Sequence, residues 1–175
     1  MTCVAGIVRA GQVWIGADSA ASTDDLVSIR APKLFRLGGL LVGFAGSYRA
    51  AQILQYGVEL PEASTPALEW LATAFVDVLR TAHRRGGAMR LDAGLDGNTI
   101  ELLVGYRGGL FEVDGDYAVA EVHDYAAVGS GAPLAIGALA ATPKILNPVN
   151  RLERALDVAE RHCPSVRGPF SIVKL

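Results

Sequence analysis

The sequence predicts an α+β fold in which antiparallel sheets are covered by helices. Three observations predict it. Short apolar, β-branched runs joined by turn signals open the chain and return in its middle. Helical patterns come in pairs, after the first strand block and again after the second. Strands and helices therefore sit in separate blocks, which favours antiparallel sheets over a parallel βαβ array. Neither a phosphate-loop sequence nor a dinucleotide glycine fingerprint is present, so nucleotide binding has no motif support.

The elements follow in order. Thr2 to Arg9 and Gln12 to Asp18 read as two strands of a hairpin turning at Ala10-Gly11. Ser19 to Pro32 is small and polar and reads as a loop. Lys33 to Leu37 alternates polar and apolar, Gly38-Gly39 turns the chain, and Leu40 to Gly46 is a buried-strand candidate. Two glycines in that short strand suggest a close backbone approach. Ser47 can cap a helix running to about Tyr56, with Gly57 as its stop. Ser64 or Thr65, then Pro66, mark the next start. From there Leu68, Leu71, Phe75, Val78 and Leu79 give an apolar stripe to about Arg84. Basic residues near its end suit the negative pole of the helix. Gly86 to Gly97 reads as a flexible surface loop. Thr99 to Tyr106, Gly109 to Val113 and Tyr117 to Val122 form a meander. Ala126 to Val128 leads through Gly-Ser-Gly into a helix over Leu134 to Ala141, and Pro143 to Pro148 breaks the chain. Asn150 is placed as the cap of a helix ending near His162, and Phe170 to Leu175 is a last strand.

At 175 residues the chain suits one domain, 1–175. Apolar residues are 51% and charged residues 19% of it, which excludes a disordered or collagen-like chain. The formal net charge of −2 lacks the field expected of a general nucleic-acid binder. Two cysteines cannot form a disulfide scaffold and fit a reducing cytoplasm. No apolar run reaches the ~18 residues of a spanning helix, and no secretory signal is visible, so the expected location is cytoplasmic, off the membrane.

The chemistry starts at Thr2. A small second residue permits removal of the initiator methionine, leaving a free α-amine beside the threonine hydroxyl. Such an amine has a reference pKa of about 7.7–8 and can act as a base near neutral pH. It is one of the recognised means of activating a threonine hydroxyl. Asp18, at the far end of the hairpin, returns near Thr2, and Lys33 opens the next strand. An ammonium near the hydroxyl favours its ionised form, and a carboxylate beside the lysine orients it. Cys3 would serve as nucleophile only after loss of both Met1 and Thr2. His162 and Cys163 lack zinc-ligand spacing. His83 and His123 read as surface or satisfied core residues, and Trp14 and Trp70 as packing.

The stretches TCVAGIVRAGQVWIGADS, KLFRL, LLVGFAGSYRA and AAVGSGAPLAIGAL, in that order, resemble the proteasome β-subunit branch of the N-terminal nucleophile hydrolases. That branch includes the bacterial peptidase subunit that works with an unfolding ATPase. The nearest likeness is to a small bacterial and phage branch of short proteins beginning MTC. The resemblance implies a four-layer αββα sandwich of two antiparallel sheets flanked by helices. It implies a threonine-type endopeptidase acting through an acyl-enzyme, a homo-oligomeric ring, polypeptide substrate, an AAA+ unfoldase partner and no cofactor. It implies Thr2 as nucleophile, Asp18 and Lys33 as its charged pair, Gly43 as the oxyanion N–H and Ser130 as the residue positioning the amine. The family's aspartate before the final strand has no counterpart in His162-Cys163-Pro164-Ser165-Val166-Arg167-Gly168-Pro169, where Ser165 falls near the place of the family's serine. An inactive ring subunit and a small-molecule amidase are the alternative readings on the same fold.

Overall fold

The computed structural model describes residues 2–22, 26–28, 32–92, 95–97 and 99–175. Strands β1 (Val4–Arg9) and β2 (Gln12–Ala17) form the first hairpin, and β3 (Ala20–Ser22) and β4 (Leu26–Ser28) a short ribbon. Strands β5 (Leu34–Leu37) and β6 (Leu40–Gly46) lead into helix α1 (Tyr48–Gly57). Helix α2 spans residues 67–85 as Ala67–Trp70, a π-helical turn Leu71–Phe75, and Val76–Arg85. A second ribbon, β7 (Arg90–Asp92) and β8 (Leu95–Gly97), precedes β9 (Ile100–Tyr106), β10 (Gly109–Val113), β11 (Val119–Val122) and β12 (Tyr125–Val128). Helices α3 (Ala132–Ala141) and α4 (Pro148–His162) and strand β13 (Ser171–Lys174) complete the chain.

The strands assemble into a four-stranded sheet in the order β12-β1-β2-β13 and a five-stranded sheet in the order β11-β10-β9-β6-β5, with every pairing antiparallel. The period-two alternation of the strands separates three apolar layers. Cys3, Ala5 and Ile7 of the first strand pack on Leu139 of α3 and Leu152, Ala155 and Leu156 of α4. Val4, Val13, Ile15, Leu41 and Leu103 meet between the sheets. Phe35, Val42, Phe44 and Val104 pack on Leu54 of α1 and Trp70, Phe75 and Leu79 of α2. The result is the αββα sandwich that the sequence resemblance implied. Gly43 faces the other sheet with no room for a side chain. A Cβ there would stand 2.6 Å from Val4 Cγ1, so a side chain would force the layers apart.

The first hairpin turns on Ala10 (φ 50°) and Gly11 (φ 69°), the left-handed pair whose twist matches the strands. Ala10 is exposed and pays the steric penalty of that conformation. Ala10→Asn is therefore expected to stabilise the fold by roughly 0.5–1 kcal/mol, because asparagine tolerates positive φ, and urea denaturation would measure it.

Several boundaries differ from the sequence expectation. Parts of Ser19–Pro32 and of Gly86–Gly97 are the two ribbons rather than loops; residues 23–25, 29–31 and 93–94 of these stretches lie outside the described residues. Ser47 caps α1 as expected, accepting from the Ala50 N–H at 3.2 Å, but Gly57 is the last helical residue and not its stop. Helix α2 begins one residue after Pro66, with no side-chain cap. Its π turn inserts a residue and rotates the apolar face, so Trp70 is buried in place of Leu68. Within it Thr73 Oγ1 donates to the Glu69 carbonyl at 2.7 Å, the back-bonding that bends helices. Asn147, not Asn150, caps α4: its Oδ1 accepts from Val149 and Asn150, and Pro148 takes the first helical position.

Candidate active site

Strand β1 delivers Thr2 to one end of the gap between the sheets. The Thr2 nitrogen donates to Ser130 Oγ at 3.2 Å. Its carbonyl accepts from the Gly131 N–H at 3.1 Å and from Ser130 Oγ at 3.4 Å. One residue on, the Cys3 N–H donates to Asp18 Oδ1 at 3.0 Å, and the Asp18 N–H returns to the Cys3 carbonyl. The antiparallel register that pairs Val4 with Ala17 makes this exchange possible.

Lys33 sits at a bend just before β5 and sends Nζ to the same Asp18 Oδ1, at 2.7 Å. The other oxygen, Oδ2, accepts from the N–H groups of Ala20 (3.0 Å) and Arg167 (3.4 Å). Thr2, Asp18 and Lys33 are all buried, at 4%, 2% and 1% exposure. Burial lowers the Lys33 pKa from its ordinary value, opposed by the hydrogen bond and charge of Asp18. Taking an ammonium and a carboxylate out of water costs several kcal/mol per ion, so such a pair is weak evidence of a stability device. A lysine shifted by burial beside a specific partner is the pattern of a reactive site. The structure thus brings together four of the five residues named from sequence: Thr2, Asp18, Lys33 and Ser130.

Gly43 stands apart from them. It is mid-strand, paired with Leu34 on one side and Leu103 on the other. The Phe44 N–H points at the Lys33 carbonyl (3.1 Å), so strand alternation turns the Gly43 N–H onto β9 and into the ladder. The same alternation turns the Gly46 N–H back to the Lys33 side, beyond the end of β5. Gly46 has φ 111°, and a Cβ there would stand 2.5 Å from the Thr99 carbonyl. The expected oxyanion role of Gly43 therefore does not fit its place in the ladder, whereas the Gly46 N–H falls outside the pairing with β5. Both glycines were visible in the sequence, but only the ladder phase separates them.

Gly129 (φ 91°) has no room for a side chain, since its Cβ would lie 2.4 Å from the Thr2 carbonyl. Its N–H donates to Glu101 Oε2 at 2.9 Å. The segment after α4 also reaches the site, which sequence reasoning did not foresee beyond Ser165. Ser165 Oγ lies 3.1 Å from Ser130 Oγ and 3.1 Å from Cys163 Sγ. Cys163 Sγ is 4.0 Å from Ser130 Oγ. The only sequence signal for this cluster was the stretch lacking the family's aspartate.

Burial, then the charge of Asp18 and the neighbouring Cys163, push the Cys3 thiol up from 9.0 to about 12, against a lesser pull from Lys33. Between those values the folded chain holds a proton that the unfolded chain has lost, so this group's contribution to stability falls as pH rises. The slope amounts to about 1.4 kcal/mol per pH unit. Cys3→Ala is expected to flatten the decline of stability between pH 9 and 10.5, read as urea midpoints against the wild type.

A groove of about 810 Å³ runs between α1 and α2 beside Arg49, Tyr56, Asp77 and Arg85 and includes none of these groups. A cavity of about 70 Å³ lies nearer, walled by Pro32, Phe44, Tyr48, Ala51 and Gln52. Burial and the charge of Asp18 raise the Tyr48 pKa, which puts that wall within the field of the site.

No family model and no curated protein matches the sequence. Solved structures do match. The BPH of Thiobacillus denitrificans, solved in complex with epoxomicin, superposes with a TM-score of 0.82 at 21% identity over 99% of this chain and 97% of its own. HslV from Trypanosoma brucei gives 0.70 at 20% identity over 99% and 98%. An Anbu (Gly-1) mutant from Hyphomicrobium sp. strain MC1 gives 0.69 at 17% over 99% and 80%. The fold is that of the proteasome-type N-terminal nucleophile hydrolases. No helix among the described residues is long and apolar enough to cross a membrane.

Proposed function

We propose that this chain is an N-terminal threonine hydrolase, a proteasome-like endopeptidase that cleaves peptide bonds through an acyl-enzyme on Thr2 once Met1 is removed. The observation that carries the reading is the buried Lys33–Asp18 pair: one oxygen of Asp18 holds both the lysine and the backbone next to Thr2. Met1 lies outside the described residues; its removal turns the Thr2 nitrogen from an amide into an amine, and only an amine can take a proton.

The steps follow from the groups present. Thr2 Oγ1 attacks the substrate carbonyl, and its proton passes to the α-amine. Lys33, fixed by Asp18, favours the ionised hydroxyl. The Gly46 N–H receives the carbonyl oxygen as it gains charge, a donor worth about 2.7–4 kcal/mol of barrier. Ser130 holds the amine through the hydrogen bond at 3.2 Å. Collapse expels the amine leaving group with the proton returned from nitrogen, and water releases the acyl group by the same path. The cavity beside Tyr48 takes a small side chain of the substrate. The ring expected from the sequence resemblance would enclose the nucleophiles and restrict them to unfolded chains, with an AAA+ unfoldase as feeder.

Intact mass of the purified chain, followed by epoxomicin treatment and peptide mapping, tests the reading. Loss of Met1 and an adduct on the Thr2 peptide are expected. A chain that keeps Met1 and forms no adduct overturns it in favour of an inactive ring subunit. Light scattering separates the endopeptidase from an amidase, for which a monomer is expected.

A further inference from the structure

We propose that Cys163 is a positioning residue for the Thr2 nitrogen, its sulfur closing the hydrogen-bond chain that runs from that nitrogen through Ser130 and Ser165. The proposal rests on the threonine-hydrolase reading above and deepens it. The links are Thr2 N to Ser130 Oγ at 3.2 Å, Ser130 Oγ to Ser165 Oγ at 3.1 Å, and Ser165 Oγ to Cys163 Sγ at 3.1 Å. Three separate segments meet there: the start of β1, the turn before α3, and the loop after α4.

The direction of the chain decides what it does. Each hydroxyl has one proton to donate. A chain of hydroxyls with no fixed end can run either way, and in one direction Ser130 donates to the amine and occupies its lone pair. A sulfur that accepts fixes the other direction. Ser165 then donates to Cys163, Ser130 gives its one proton to Ser165 at 3.1 Å in preference to the longer contact with the Thr2 carbonyl at 3.4 Å, and the amine donates to Ser130. One amine N–H is spent on Ser130, and the lone pair is left for the proton of Thr2 Oγ1. When that proton arrives the nitrogen becomes an ammonium, and the chain is already oriented to accept from it. No proton leaves along the chain; the Oγ1 proton rests on nitrogen until the leaving group takes it.

The surroundings of the two thiols differ accordingly. Cys3, deeply buried and facing Asp18, is pushed up to about 12. Burial pushes Cys163 up as well, but hydrogen bonds with the Ser165 side chain and backbone and with Ser130 outweigh it, and the net direction is down. The other charged and titratable groups facing it are Asp18 after β2, Cys3 before β1, and Lys33 through its pair with Asp18. Asp18 opposes a thiolate, so the effect comes from the hydroxyl donors and not from a nearby cation. On its own segment His162 is exposed.

The experiment compares wild type with Cys163→Ala, Cys163→Ser and Cys163→Asp, reading the rate of epoxomicin adduct formation on Thr2 from pH 6 to 9 and the melting temperature of each. Cys163→Ala and Cys163→Ser are expected to react ~10- to 100-fold more slowly at neutral pH, as a slightly misplaced group does. Their acid limb should move to lower pH, because the ammonium loses its acceptor. Cys163→Asp is expected to recover most of the rate and the wild-type limb. Unchanged rate and limb in Cys163→Ala overturns the proposal. A slow variant with an unmoved limb and no rescue by aspartate marks a packing role and also overturns it. If Cys163→Ala does not fold, the serine and aspartate variants decide. A wild type that loses Met1 yet forms no adduct removes the parent reading and this inference with it; a reactive wild type matched by its variants removes this inference alone.

Discussion

Lys33→Met is expected to lower stability by about 3–5 kcal/mol at neutral pH and to abolish reactivity of Thr2. The ammonium is wholly buried and pairs with Asp18 at 2.7 Å. Methionine keeps most of the length of the side chain and removes the charge, leaving a buried carboxylate with backbone N–H groups as its only remaining donors among the described residues. Removing one partner of such a pair costs more than the pair itself is worth, because the other charge stays out of water. For a chain of this size the loss corresponds to a melting temperature lower by roughly 10 °C. Urea denaturation reads the first effect and adduct formation the second. A loss under about 1 kcal/mol would mean that Asp18 is not desolvated in the folded chain. A stable variant with wild-type reactivity would remove Lys33 from the chemistry.

Thr2→Ala should leave folding intact and reduce peptide hydrolysis by ~10⁴-fold or more, the scale seen when a catalytic nucleophile is deleted. Its backbone contacts to Ser130 and Gly131 do not depend on the side chain. Thr2→Ser keeps hydroxyl and amine together and is expected to retain activity within about tenfold of the wild type, since a methyl group is worth only ~1 kcal/mol. Steady-state rates on a casein-derived peptide mixture, normalised to protein lacking Met1, provide the comparison. Equal rates for Thr2→Ala and wild type would place the nucleophile elsewhere.

Much of this site was legible from residue order. Thr2, Asp18, Lys33 and the Gly-Ser-Gly at 129–131 carry the resemblance, and all four segments converge. Spacing works here because the hairpin fixes the relation of Thr2 to Asp18: a two-residue turn and full antiparallel pairing leave no freedom in register. The central helix was legible as a helix but not in its face, because the π turn at Leu71–Phe75 adds a residue that no periodicity announces. The two ribbons were missed because three-residue strands leave too few alternations to read.

The sequence by itself determined the two sheets, the paired helices and the place of the threonine, since period-two and helical patterns survive in any local stretch of chain. Only the tertiary structure showed that Gly43 is paired on both sides, because an N–H is spent or not according to the strand beside it. Only the tertiary structure brought Cys163 and Ser165 to Ser130, since those contacts cross 33 and 35 residues of sequence and depend on how α4 packs against β1. Local pattern encodes which face of an element is buried. It does not encode which distant polar atoms that burial presses together, and the hydrogen bonds of the site are made of those.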